Sequence, residues 1–131
     1  MNRNYDITAI EEAVKAIVRE LNVSERVYCN RPRSIEDKAT DFVVVKVTGM
    51  VRDMGTFARC AISVSLFAKD VNNLKNSKKL SVMQLRMTEG FPSESGHLMF
   101  RSIPRILGDV QDDFGFHARV IQFNNVLIKS V

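Results

Sequence analysis

Residues 55–69, GTFARCAISVSLFAK, constrain this chain more than any other stretch. Ala58, Cys60, Ile62, Val64, Leu66 and Ala68 alternate with Arg59, Ala61, Ser63 and Ser65, the period-two pattern of a long half-buried strand. One face is small and β-branched, suited to close helix packing, and the other tolerates water or another polar surface. A chain built on such a strand must supply neighbours on both of its edges and a cover for its apolar face.

At 131 residues the chain fits one domain, 1–131, with enough length for a true core. Its 45% hydrophobic and 26% charged residues are ordinary globular values, and no apolar run approaches a membrane span. The opening MNRNYDITAIEEAV carries two glutamates and lacks the basic-then-apolar pattern of a secretory leader, so a cytoplasmic compartment is expected. Cys29 and Cys60 have no CxxC partner and no histidine at metal spacing, so both read as buried free thiols. The net charge of +4 permits a nucleic-acid partner without requiring one.

Around the central strand the other elements follow. Ile7, Ile10, Val14, Ile17, Val18 and Leu21 recur at threes and fours and predict a helix over 8–21, with Thr8 and Glu11 at capping-box spacing and Asn22 closing it. RVYCN at 26–30 predicts a short edge strand halted by Pro32, and 31–41 a long polar loop. DFVVVKVTGMV at 41–51 predicts a strand buried on both faces, forming a hairpin with the central strand and bulged or bent at Gly49. A second helix is expected over 71–88, capped by Asp70 and ended by Gly90 and Pro92. It carries two apolar stripes: Val71, Leu74, Val82 and Leu85 on one side, Leu80, Met83 and Met87 on nearly the opposite one. Either the helix breaks near Ser77, or one stripe meets a neighbouring subunit. After a loop at 90–96 come strand-like 97–110, interrupted by Pro104, a turn at 111–115, and a last strand over 116–123 that bends or bulges at Asn124 and Asn125. The expected architecture is α+β: a two-layer sandwich whose mainly antiparallel sheet is built from two hairpins, with two helices on one face.

No chemical signature stands out. Phosphate-cradling, dinucleotide and HExxH motifs are missing from the sequence. A pairing of His97 and His117 with Asp109, Asp112 or Asp113 is the only arrangement that offers metal or acid–base chemistry, and isolated structural histidines are the commoner outcome. The expectation is no enzyme, no metal and no cofactor. Two surface roles remain. Lys75, Lys79 and Arg86 fall on one helix side and could contact phosphates, although no aromatic residue interleaves with them for base stacking. The Leu80, Met83 and Met87 stripe, and the outer sheet face around Arg59, Ser63 and Ser65, are candidates for a subunit interface.

The succession of an N-terminal amphipathic helix, RVYCNRP, a polar loop, FVVVKV, ARCAISVSLFAKD, a helix and a late DDFGFHARVIQF spans nearly the whole chain. In order and length it resembles the small tail-terminator and tail-completion proteins of long-tailed bacteriophages and prophages. The resemblance implies a homo-oligomeric ring, commonly a hexamer, that caps the head-proximal end of the tail tube, stops its growth and joins it to the head. It implies tail-tube and head–neck proteins as partners, DNA passing non-specifically through the ring, and a location in the host cytoplasm during assembly and then in the virion. The family has no catalytic signature, so no residue carries a role over. The runner-up is a small basic nucleic-acid-binding module.

Overall fold

The computed structural model describes residues 6–30, 39–112 and 114–129. In chain order the elements are α1 (Ile7–Glu20), β1 (Val27–Tyr28), β2 (Asp41–Asp53), β3 (Phe57–Lys69), α2 (Ser77–Gly90), β4 (Glu94–Ser95), β5 (Leu98–Phe100), β6 (Arg105–Gln111) and β7 (Phe116–Lys129). The strands form one sheet in the order β1-β2-β3-β7-β5-β4, with β6 also paired to β7. Among the described residues strand predominates over helix, and the sheet curls into half a barrel.

This overturns the expected two-layer sandwich of two hairpins. The reason lies in the ladders. Register shifts between Thr48 and Arg52, between Cys60 and Ile62, and between Leu107 and Val110 insert extra residues into the long strands. Each bulge bends its strand and increases the local twist, so the sheet curls instead of lying flat. The first bulge contains Gly49 at φ 74, a left-handed conformation that glycine adopts without steric cost. The bulge on β7 falls at Asn124 and Asn125, so the core-facing set changes from Ile121 and Phe123 to Val126 and Ile128.

The alternation along β3 sorts as its sequence requires. Ile62, Val64 and Leu66 are fully buried in one large cluster, filled by α1 through Ile10, Val14, Ile17 and Val18. α2 enters the same cluster through Leu80, Met83 and Met87. On the opposite sheet face Phe42, Val44, Phe67, Phe116 and Ala118 form a second cluster. Phe42 stacks on Phe67 at 4.3 Å and meets Phe116 edge-on at 5.2 Å.

Both helix starts differ from expectation. α1 is capped by Asp6, whose carboxylate accepts from the Ala9 N–H at 3.1 Å. Glu11 is thereby released from any capping box, and instead accepts the Val47 N–H at 2.9 Å on the outer edge of β2. α2 starts at Ser77, not Val71, with the Asn76 side chain accepting from Lys79 N–H. Asn72 and Asn73 both adopt left-handed backbone, and Val71 and Leu74 bridge each other in a tight turn. Asn22 closes α1 at φ 55 as its residue type suggests. Most of the expected 31–41 loop and Asp113 lie outside the described residues.

Candidate functional site: two open sheet edges and a basic cleft

An edge strand exposes a row of backbone donors and acceptors that only another strand satisfies fully. β6 is such a strand: it pairs with β7 on one side, and no described strand lies on its other side. Pro104 just before it, and the turn to β7 just after it, hold it at the margin. All of β6 is exposed or half-exposed. Ile106 (45% exposed), Leu107 (42%) and Val110 (61%) lie along it, and Ile103 (88%) leads into it. Leu107 stands beside Val120 and Val110 beside Ala118 on the face away from the helices, while Ile106 stands beside Ile121.

The opposite side of the sheet has an open edge as well. β1 covers β2 only at Val43 and Val44, and Glu11 occupies Val47 N–H. Among the described residues, β2 past its bulge pairs only with β3, forming an arm that carries Met50 at 72% exposure and places Arg52 directly opposite Arg59. A hollow of about 370 Å³ beside it is lined by Thr48, Met50, Arg52, Arg59, Cys60, Ala61 and Asn124.

β6 is latched to the body through Asp109. Its two carboxylate oxygens accept from Arg119 Nε and Nη2 at 2.7 and 2.9 Å, and Lys75 Nζ lies 3.0 Å away. Arg119 Nη1 also donates to Gln84 Oε1 of α2 at 2.9 Å. The paired guanidinium, outweighing partial burial, and the Lys75 ammonium hold the Asp109 carboxyl down at about 2.

A cavity of about 730 Å³ lies where the C-terminal part of α1 approaches α2 and the start of β1. Arg19, Arg26, Lys79 and Arg86 line it, with Glu25 and Asp41 as its acids. A Cβ on Gly90 would stand 2.7 Å from Leu21 Cδ2, so the helix ends meet closely here. Arg86 Nη1 donates to the Asn22 carbonyl at 2.7 Å, fixing the guanidinium across the gap. Asp41, 8% exposed, accepts from Ser24 and Thr40 hydroxyls and pairs with Lys79 at 3.0 Å. Burial pushes its carboxyl up, but the hydrogen bonds from Ser24 and Lys79, the Lys79 charge and Thr40 outweigh that, and the carboxyl sits below its ordinary range.

The sequence-derived candidates divide. Leu80, Met83 and Met87 are 0%, 1% and 0% exposed, so this stripe is core and offers no subunit contact; Val82 and Leu85 are the exposed large apolar residues of α2. Arg59 is exposed, and Ser63 and Ser65 half-buried, on the sheet face away from the helices, as expected. Of the phosphate stripe, Lys79 and Arg86 converge in the cleft, whereas Lys75 precedes α2 and is held by Asp109. His97 lies in the turn between β4 and β5, beside Lys129, and His117 near the other end of β7, with Nδ1 2.6 Å from Asp70 Oδ1. They form no joint site, and among the described residues no cluster of metal-ligating side chains occurs. No helix of the described residues is long and apolar enough to cross a membrane. Arg19 and Arg26 escaped the sequence reading because they are remote from α2 in the chain, and the β6 edge escaped it because topology alone decides which strand lies outermost. No protein-family model matches the sequence, and a search of curated proteins found no match.

Proposed function

We propose that the protein is a structural protein of a phage tail that assembles head-to-tail into a ring and acts as a tail terminator, capping the tube and joining tail to head. The observation that carries this reading is the pair of open edges on opposite sides of one sheet, β6 on β7 and the Met50 arm on β2. The two edges differ in length and side chains. A two-fold dimer pairing β6 with β6 would leave the arm open, whereas a heterologous contact between β6 of one copy and the arm of the next engages both and closes by rotation. The apolar residues Ile106, Leu107 and Val110 supply the centre of such a contact. A second copy is thus the occupant that the sheet geometry favours, and the sequence resemblance points to the same assembly. In this role the cytoplasm of a bacterial host and then the virion are the locations, and DNA crosses the ring without base-specific contacts.

Native mass measurement over a wide concentration range, with and without purified tail tubes, tests this. The expected species contains several copies, six by the resemblance, of the 14.9 kDa chain. Leu107→Lys with Val110→Lys should abolish that species while leaving the thermal midpoint nearly unchanged, because both side chains are already in water. A monomer or a two-fold dimer under every condition refutes the ring.

A further inference from the structure

We infer that the cleft between the helix ends and β1 binds a ligand through two or more of its phosphate groups. The inference stands independently of the ring. Among the described residues, four cations line the cleft against two acids. Asp41 is consumed by Ser24, Thr40 and Lys79, and the Lys79 ammonium is thereby held at one wall. Arg19 and Arg86 have no carboxylate partner among the described residues, and Arg86 retains most of its guanidinium N–H groups after donating one to Asn22. Arginine guanidinium groups hydrogen-bond phosphate oxygens in pairs, and a hollow of about 730 Å³ far exceeds one phosphate. Cations spread around such a space fit phosphates linked in series. No described lining residue is aromatic, so these residues offer bases no stacking platform, and recognition falls on the phosphates. A single strand of nucleic acid and a small polyphosphate share this chemistry.

The test is a titration of the isotopically labelled full chain, followed by backbone amide resonances. Inorganic pyrophosphate, a nucleoside triphosphate and a short single-stranded oligonucleotide are added separately at low salt. Resonances of Arg19, Arg26, Thr40, Lys79 and Arg86 should move together. Arg19→Ala with Arg86→Ala should weaken oligonucleotide binding and flatten the dependence of log affinity on log salt by about 1.4, at about 0.7 per lost single-strand phosphate contact. Arg19→Ala alone, which removes no described hydrogen bond, should flatten it by about half as much and guards against a folding defect in the double variant. Lys69→Ala and Lys78→Ala, both outside the cleft, should leave binding unchanged. Oligonucleotide affinity at least tenfold above that of pyrophosphate identifies a strand as the ligand; equal affinities identify a small polyphosphate. Shifts centred on Arg52 and Arg59, equal losses in the control variants, or no binding by any probe overturn the inference.

Discussion

Replacing Asp109 by Asn tests whether an ion pair fastens the β6 edge to the body. In the native protein the carboxylate grips Arg119 through both oxygens and lies 3.0 Å from Lys75. Lowering the carboxyl from 3.8 to about 2 corresponds to roughly 2.4 kcal/mol. The Lys75 side chain is 40% exposed and water screens its share, so about 1.5 kcal/mol is the expected stabilisation at neutral pH. A carboxyl whose folded value is depressed binds fewer protons in the folded chain than in the unfolded one. Its contribution is therefore complete above about pH 5 and is lost as the pH falls through the window from 3.8 to about 2. Asn keeps the shape and removes the charge. Urea unfolding at a fixed low protein concentration should show Asp109→Asn less stable by about 1.5 kcal/mol at pH 7, by roughly half as much near pH 3, and equal to the native protein near pH 2. A gap that stays constant across this range, or a variant more stable at pH 7, would refute the argument that ionisation of Asp109 is what secures β6.

Three further outcomes follow from burial. Val64→Asp places a carboxylate at a position with 0% exposure and should abolish folding, read as loss of the cooperative thermal transition. Phe42→Ala removes the ring shared by Phe67 and Phe116 and should cost about 3 to 5 kcal/mol by urea titration. Cys60 is buried, and burial pushes its thiol up to about 11, so a neutral-pH thiol reagent should modify Cys29 in the native protein and reach Cys60 only in denaturant.

The sequence carried local structure well and the architecture of the sheet poorly. Alternation along residues 58–66 assigned both faces of β3 correctly, because period two and burial agree there; Phe67 breaks the pattern because the second cluster buries it on the opposite face. Asn22, Gly49 and the Asn124–Asn125 step were legible because their residue types tolerate the backbone that caps and bulges need. The start of α2 was misread because Val71 and Leu74 fit a helical spacing, although consecutive asparagines at 72 and 73 suit left-handed turns. Had Asn76 been taken as the cap, the second apolar stripe would have shrunk to Val82 and Leu85, and Leu80, Met83 and Met87 would have stood as core. The half-barrel was not legible, since curl accumulates from bulges on three ladders whose register no single strand reports. The cleft was half legible: Lys79 and Arg86 share a helix side, but Arg19 and Arg26 join them only through the packing of α1 and β1.

α2 ties these features into one mechanical unit. Its core stripe of Leu80, Met83 and Met87 is flanked on one side by Lys79 and Arg86, which reach the cleft, and on the other by Ser81 and Gln84, which reach Arg119. At about 100° per residue, positions 79 and 86 nearly coincide, and 81 and 84 lie beyond the stripe on its far side. A tilt of α2 about its buried stripe would therefore move the cleft cations and the Arg119–Asp109 latch together. If α2 turns as a rigid body, a ligand that draws Lys79 and Arg86 inward alters the hold on β6, the edge proposed to meet the next copy. Such coupling must be reciprocal, because a ligand that shifts assembly is itself bound more or less tightly in the assembled state. Oligonucleotide affinity should thus change between concentrations where the chain is a monomer and those where the proposed ring forms, and Asp109→Asn, which cuts the latch, should reduce that difference. An affinity identical in both states would show that α2 transmits nothing between the cleft and the edge.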